Sequence, residues 1–203
     1  MERRNLLKMI AAATGVAMVG GSAFAYELHS PVPLSSTVFS SDDVMLFNEV
    51  ADVIIPRTDT PGAKDANVGL MALILANDCY TQEERSALVQ GLVTIDQQAQ
   101  QRFGKPYLLL DTAQKLQYIT QLDEDAKRAN NQQELFYLSS KPYDKDRDEN
   151  AATPHFFTLI KQLTLFSFFT SKLGATEVLR FEAIPGKYNG ELDYKKGDRA
   201  WAT

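Results

Sequence analysis

Apolar residues recur along this chain at the three- and four-residue steps of α-helices. No stretch of convincing length alternates with the two-residue step of a strand. Val44, Phe47, Val50, Ala51 and Ile54 form one such apolar face. They predict a helix capped by Ser40 or Ser41, led by Asp42 and Asp43 at the positive end of its dipole, and ended by Pro56. Arg57–Asn67 is rich in turn formers, among them Pro61-Gly62. Leu70, Leu73, Ile74 and Leu75 then predict a short, mostly buried helix from Val68 to Cys79. Thr81-Gln82-Glu83-Glu84 reads as a capping box opening a helix through Leu88, Leu92, Ile95 and Ala99 to Phe103, with Gly104 as its stop. Asp111-Thr112-Ala113-Gln114 is a second box-like start, leading into Leu116, Ile119 and Leu122, with Lys127 and Arg128 placed near the carboxyl end.

Thr153-Pro154 reads as an N-cap with proline at the first helical position. The helix beyond it, His155 to Leu173, carries apolar residues around nearly its whole circumference, with Lys161 and Gln162 interrupting and Gly174 closing it. A run this short with a lysine inside reads as a central core helix rather than a membrane span. From Phe181 onward glycine, proline, charged and aromatic residues mix without a period. The expected fold is all-α, a single helical bundle with an extended C-terminal arm. Its divisions fall at 1–25 (signal), 26–39 (linker), 40–180 (helical domain) and 181–203 (irregular arm).

The amino-terminal stretch has a different character. Arg3-Arg4-Asn5-Leu6-Leu7-Lys8 precedes a small-residue apolar run from Met9 to Phe24, and Ala23-Phe24-Ala25 ends it. A basic start, an apolar middle and a small-residue cleavage site make an export signal. Adjacent Arg3 and Arg4, followed by Leu6, Leu7 and Lys8, point to the twin-arginine route, with cleavage after Ala25 at the Ala23–Ala25 site. The competing readings are an ordinary secretory signal and an uncleaved anchor. The run is shorter than the ~20 apolar residues that span a bilayer, and Gly15, Gly20 and Gly21 weaken it as a helix. No cysteine stands at the boundary for a lipid anchor.

Charge and cysteine usage narrow the function classes. The chain has a net charge of −5. Residues 1–25 hold three cations and one anion, so the chain beyond them is more acidic still. That balance argues against nucleic acid as a partner and against tight docking on an anionic membrane face. Cys79 is the single cysteine, so no internal disulfide forms; it is either a buried thiol or half of an intermolecular bridge.

No catalytic constellation emerges. His29 and His155 lack partners at metal-ligand spacing. There is no haem-attachment motif, no set of cysteines for an iron–sulfur cluster, and no glycine fingerprint after a strand for a flavin or nicotinamide. Asp144–Glu149 has alternating carboxylates like the start of a calcium loop. Glu149 and His155 occupy the positions that need glycine and glutamate, so it reads as a solvated loop. We therefore expect no catalytic, cofactor-binding or metal-binding residues in this chain. Tyr188, Tyr194 and Trp201 in the arm are residue types that anchor interfaces, or else they pack back on their own domain. A binding or accessory subunit is the expected class, with a stand-alone periplasmic small-ligand binding protein as the alternative.

Three segments carry a resemblance. Ala51-Asp52-Val53-Ile54-Ile55-Pro56-Arg57-Thr58-Asp59-Thr60-Pro61-Gly62-Ala63 resembles the signature of the gluconate 2-dehydrogenase subunit 3 family. Phe156–Lys161 through Gly174-Ala175-Thr176 agrees with it, as does the tail with Pro185-Gly186-Lys187-Tyr188 and Gly197-Asp198-Arg199-Ala200-Trp201. The resemblance implies the small subunit of a membrane-bound, FAD-dependent dehydrogenase of sugars, sugar acids or polyols, located in the periplasm. It implies a large subunit that carries the flavin and a multihaem cytochrome c subunit that takes the electrons, while the small subunit holds no cofactor. It also implies that the small subunit takes the large one through the twin-arginine translocase. In some relatives a small-subunit cysteine bridges to the large subunit, which makes Cys79 an interface candidate beside Tyr188, Tyr194 and Trp201.

Overall fold

The computed structural model describes residues 33–133, 152–184, 186, 190–193 and 195–202. Among them the architecture is all-α, as the periodicity predicts. Residues 37–203 make up one unit. Before it, a 3-10 turn, Leu34–Ser36, is closed by hydrogen bonds from Ser36 N and Oγ to Pro33 O.

Among the described residues five α-helices follow: α1 Ser41–Ile54, α2 Val68–Cys79, α3 Gln82–Phe103, α4 Thr112–Gln132 and α5 Phe156–Phe169. A second 3-10 turn, Tyr107–Leu109, joins α3 to α4, and a π-helical turn, Gly174–Val178, follows α5. Helix α5 is the centre. It packs on α2 and α3 and touches α1 and α4, burying Phe157, Leu159, Ile160, Leu163 and Phe168. Lys161 and Gln162, which interrupt its apolar run, are used for docking. Lys161 Nζ bonds Asp123 of α4 at 2.6 Å, and Gln162 accepts from Tyr80 Oη at 3.4 Å at the end of α2.

Three of the helix starts follow their sequence signals. Ser40 accepts from Asp43 N while Asp43 accepts from Ser40 N, and Thr81 with Glu84 and Asp111 with Gln114 repeat this reciprocal bonding. Gly104 ends α3 in the left-handed region at φ 70°. At α5 the structure departs from expectation. His155, not Thr153, is the cap: its Nδ1 accepts from Phe157 N at 3.2 Å. Asn130 Oδ1 at the end of α4 takes His155 N at 3.0 Å, and Asn130 Nδ2 donates to Thr158 Oγ1 at 2.8 Å. That tertiary contact fixes the start of the first turn at Phe156, two residues past the proline. The helix also ends at Phe169 rather than Leu173. Gly174 lies so close to the α5 terminus that a Cβ there would sit 2.0 Å from Phe168 O.

Other expectations shift by a face or a turn. Leu70 is exposed because α2 buries the stripe Val68, Gly69, Ala72, Leu73 and Ala76. Leu116 is exposed because α4 buries Tyr118, Ile119, Leu122 and Ala126. Lys127 and Arg128 lie more than a turn from the end of α4 and pair with Asp123 and Asp125. The helices approach closely where side chains are small. A Cβ at Gly69 would meet Val44 O of α1 at 2.7 Å, and one at Gly91 of α3 would meet the Phe156 ring of α5 at 2.4 Å.

Candidate functional site

The segment joining α1 to α2 is the most tightly cross-bonded loop of the described residues. Ala63 N donates to Ile55 O at 2.8 Å, and Thr58 N donates to Thr60 O at 3.0 Å. Asp65 accepts from Gly62 N at 2.8 Å and from Arg57 Nη2 at 2.5 Å. Those two donors, the Arg57 contact first, hold the Asp65 carboxyl below the ordinary carboxylate range. Gly62 is needed for the fold-back. A Cβ there would lie 2.6 Å from Arg57 N and 2.8 Å from Ile55 O. Asn67 ends the loop in the left-handed region, φ 49°, its Oδ1 accepting from Asn48 Nδ2 at 2.7 Å.

Glu49 ties this loop to the bundle. It accepts from Lys64 at the loop and from Lys115 of α4, the latter at 2.6 Å. Burial opposes its ionisation, but the hydrogen bonds and charges of Lys115 and Lys64 prevail and keep its carboxyl below the ordinary range. The outer side of the loop, Pro56 to Asp59, is exposed. A rigid backbone thus presents Arg57, Thr58 and Asp59 to the surroundings.

The C-terminal segments come to the same region. Glu177 of the π-helical turn is near enough to Arg57 for its charge to raise the Arg57 pKa, after the dominant effect of Asp65. Arg199 Nη1 donates to Glu177 O at 2.7 Å. Arg180 N donates to Ala200 O at 2.8 Å and Ala202 N to Arg180 O at 2.9 Å, forming a parallel bridge between Arg180 and Trp201. The Arg180 guanidinium lies 4.1 Å from the centre of the Trp201 ring. Trp201 therefore packs back on its own domain on one face, yet 42% of it stays exposed. Phe181 and Ile184, 53% and 84% exposed, extend this apolar and arginine-bearing surface along the chain.

Cys79 is the last residue of α2, past the buried stripe, and its thiol is exposed rather than packed. Tyr188 and Tyr194 lie outside the described residues, as do Arg3, Arg4, Leu6, Leu7, Lys8, Ala23, Ala25 and the Asp144–Glu149 loop. Among the described residues no three His, Cys, Asp or Glu side chains stand together as a metal-ligating group. No described helix is long and apolar enough to cross a membrane. The sequence reading missed Arg180, whose stacking on Trp201 joins residues with no local signal between them. It also missed His155 as a cap, because Thr153-Pro154 mimics a helix start.

No curated protein and no solved structure matches the chain. One family model does, described as Gluconate 2-dehydrogenase subunit 3, over residues 41–186. The match begins at the first residue of α1 and runs past the π-helical turn, leaving the Trp201 tail and the amino-terminal segment beyond it. It takes in every helix of the bundle and the cross-bonded loop, and so the chain belongs to the gluconate 2-dehydrogenase subunit 3 family.

Proposed function

We propose that this chain is the non-catalytic small subunit of a periplasmic, membrane-associated, FAD-dependent dehydrogenase complex of the gluconate 2-dehydrogenase type. Its work is assembly and export. It binds the folded flavoprotein large subunit and takes it through the twin-arginine translocase on the signal led by Arg3 and Arg4. The large subunit holds FAD and oxidises the substrate, and a multihaem cytochrome c subunit receives the electrons. The observation that carries this reading is the family match across the whole bundle. The exposed Arg57–Asp59 edge, the half-exposed Trp201 and the accessible Cys79 thiol support it as surfaces on which a partner can rest.

The test uses the intact complex. Arg3→Lys with Arg4→Lys is expected to leave both this chain and the dehydrogenase activity in the cytoplasm, measured by fractionation and dye reduction. Periplasmic activity equal to that of the unaltered strain would refute the escort role.

A further inference from the structure

A groove of about 730 Å³ runs between the start of α1 and the second half of α3. Its floor is aliphatic: Leu46 and Leu92 are buried beneath it, while Val93 and Leu108 are 53% and 39% exposed. Its ionisable groups are all acidic, Asp42, Asp43 and Asp96. Glu49, Asp65, Asp123 and Asp125 of the bundle each carry a lysine or arginine. The three acids of the groove have no cationic partner among the described residues. Asp43 caps α1 through Ser40, Asp96 Oδ1 takes Tyr107 N at 2.8 Å, and Asp42 makes no contact of either kind.

The groove's shape and charge select its occupant. It is open along its length, so a small molecule would stay largely in water, whereas ligand sites bury roughly 70–90% of theirs. A second copy of this acidic chain would bring like charge to an acidic rim. Two helices with an aliphatic floor between them fit a third helix laid into the trench, read through anchors one turn apart. From this geometry we infer that the groove receives a helix of the partner dehydrogenase subunit carrying lysine or arginine beside its aliphatic anchors. The inference rests on the function proposed above.

The experiment uses the co-expressed, full-length complex. Val93→Lys with Gln97→Lys places cations in the groove at exposed positions of α3. Leu116→Lys with Thr120→Lys makes a matched change, equal in charge and spacing, at exposed positions of α4. The first pair is expected to lower recovery of the flavoprotein subunit by about tenfold or more, with a melting temperature like that of the control pair, which retains the partner. In an otherwise unaltered chain, a photoreactive phenylalanine replacing Gln97 is expected to cross-link to a lysine- or arginine-bearing segment of the flavoprotein. Equal recovery with both pairs, where both melt like the parent, overturns the groove and leaves the accessory role standing. So does a cross-link to an acidic segment, to a second copy, or to nothing while the flavoprotein co-purifies. Failure of the unaltered chain to recover any flavoprotein overturns both readings.

Discussion

His155 is where one side chain sets the start of the central helix. Its Nδ1 accepts from Phe157 N, so the ring's proton resides on Nε2. Burial lowers its pKa from the ordinary 6.5, and the charge of Asp125 pulls the other way without prevailing. The folded chain therefore binds fewer protons at this site than the unfolded chain. The stabilisation is complete above the ordinary histidine pKa. It declines as pH falls from there towards the lower folded value, and flattens below it. Protonation also turns Nδ1 into a donor and removes the cap. The carboxylates of Glu49, Asp65, Asp123 and Asp125 are all depressed, so their titration falls below this window. His155→Asn keeps an acceptor that does not titrate. It is expected to match the parent at neutral pH and to show a flatter urea midpoint between about pH 7 and pH 5. His155→Ala loses about 1 kcal/mol at neutral pH. A slope in the Asn variant as steep as the parent's would place the proton uptake elsewhere.

At the scale of elements, the helices were legible because their signals are local. The Ser40–Asp43, Thr81–Glu84 and Asp111–Gln114 boxes each lie within four residues, so sequence alone contains both partners. The start of α5 was misread because its determinant, Asn130, is 25 residues away. The groove was invisible for the same reason, since residues 42–46 and 92–101 meet only after folding. Gly62 shows how far a correct local reading falls short. Pro61-Gly62 reads as a turn, but the need for glycine comes from backbone atoms of residues 55–57 folded against it. Backbone cannot swing aside as a side chain can. Gly62→Ala is therefore expected to open the loop, break the Ala63–Ile55 and Gly62–Asp65 hydrogen bonds, and cost about 1–3 kcal/mol. Hydrogen exchange at Ala63 should accelerate before the helices lose protection. Gly104→Ala is the comparison, since open space surrounds that position and only its positive φ is strained. Its cost is about 1–2 kcal/mol. A Gly62→Ala variant with the parent's exchange rate at Ala63 would show that the loop relaxes without opening.

For the whole molecule, the question is whether the C-terminal tail stabilises the bundle or serves the partner. The packing centred on α5 involves α1 to α4. The tail is attached through the Arg180 bridge, the Arg199–Glu177 contact and the Arg180–Trp201 stack, on residues that are exposed apart from the half-buried Ala202. Hydrogen bonds of this kind contribute about 0.5–1.5 kcal/mol each at most, and less where water competes. Exposed tryptophan and arginine count for far more when a partner covers them, because truncation then leaves a desolvated pocket unfilled. Deleting Gly197–Thr203 is therefore expected to lower the melting temperature by only a few degrees while sharply reducing recovery of the large subunit. Trp201→Ala should reproduce most of the loss of binding and little of the loss of stability. The family match ends at residue 186, so it does not reach the Gly197–Trp201 stretch of the tail. A large drop in melting temperature with full recovery of the partner would instead assign Trp201 to the bundle, as a clamp that holds the π-helical turn against the end of α5.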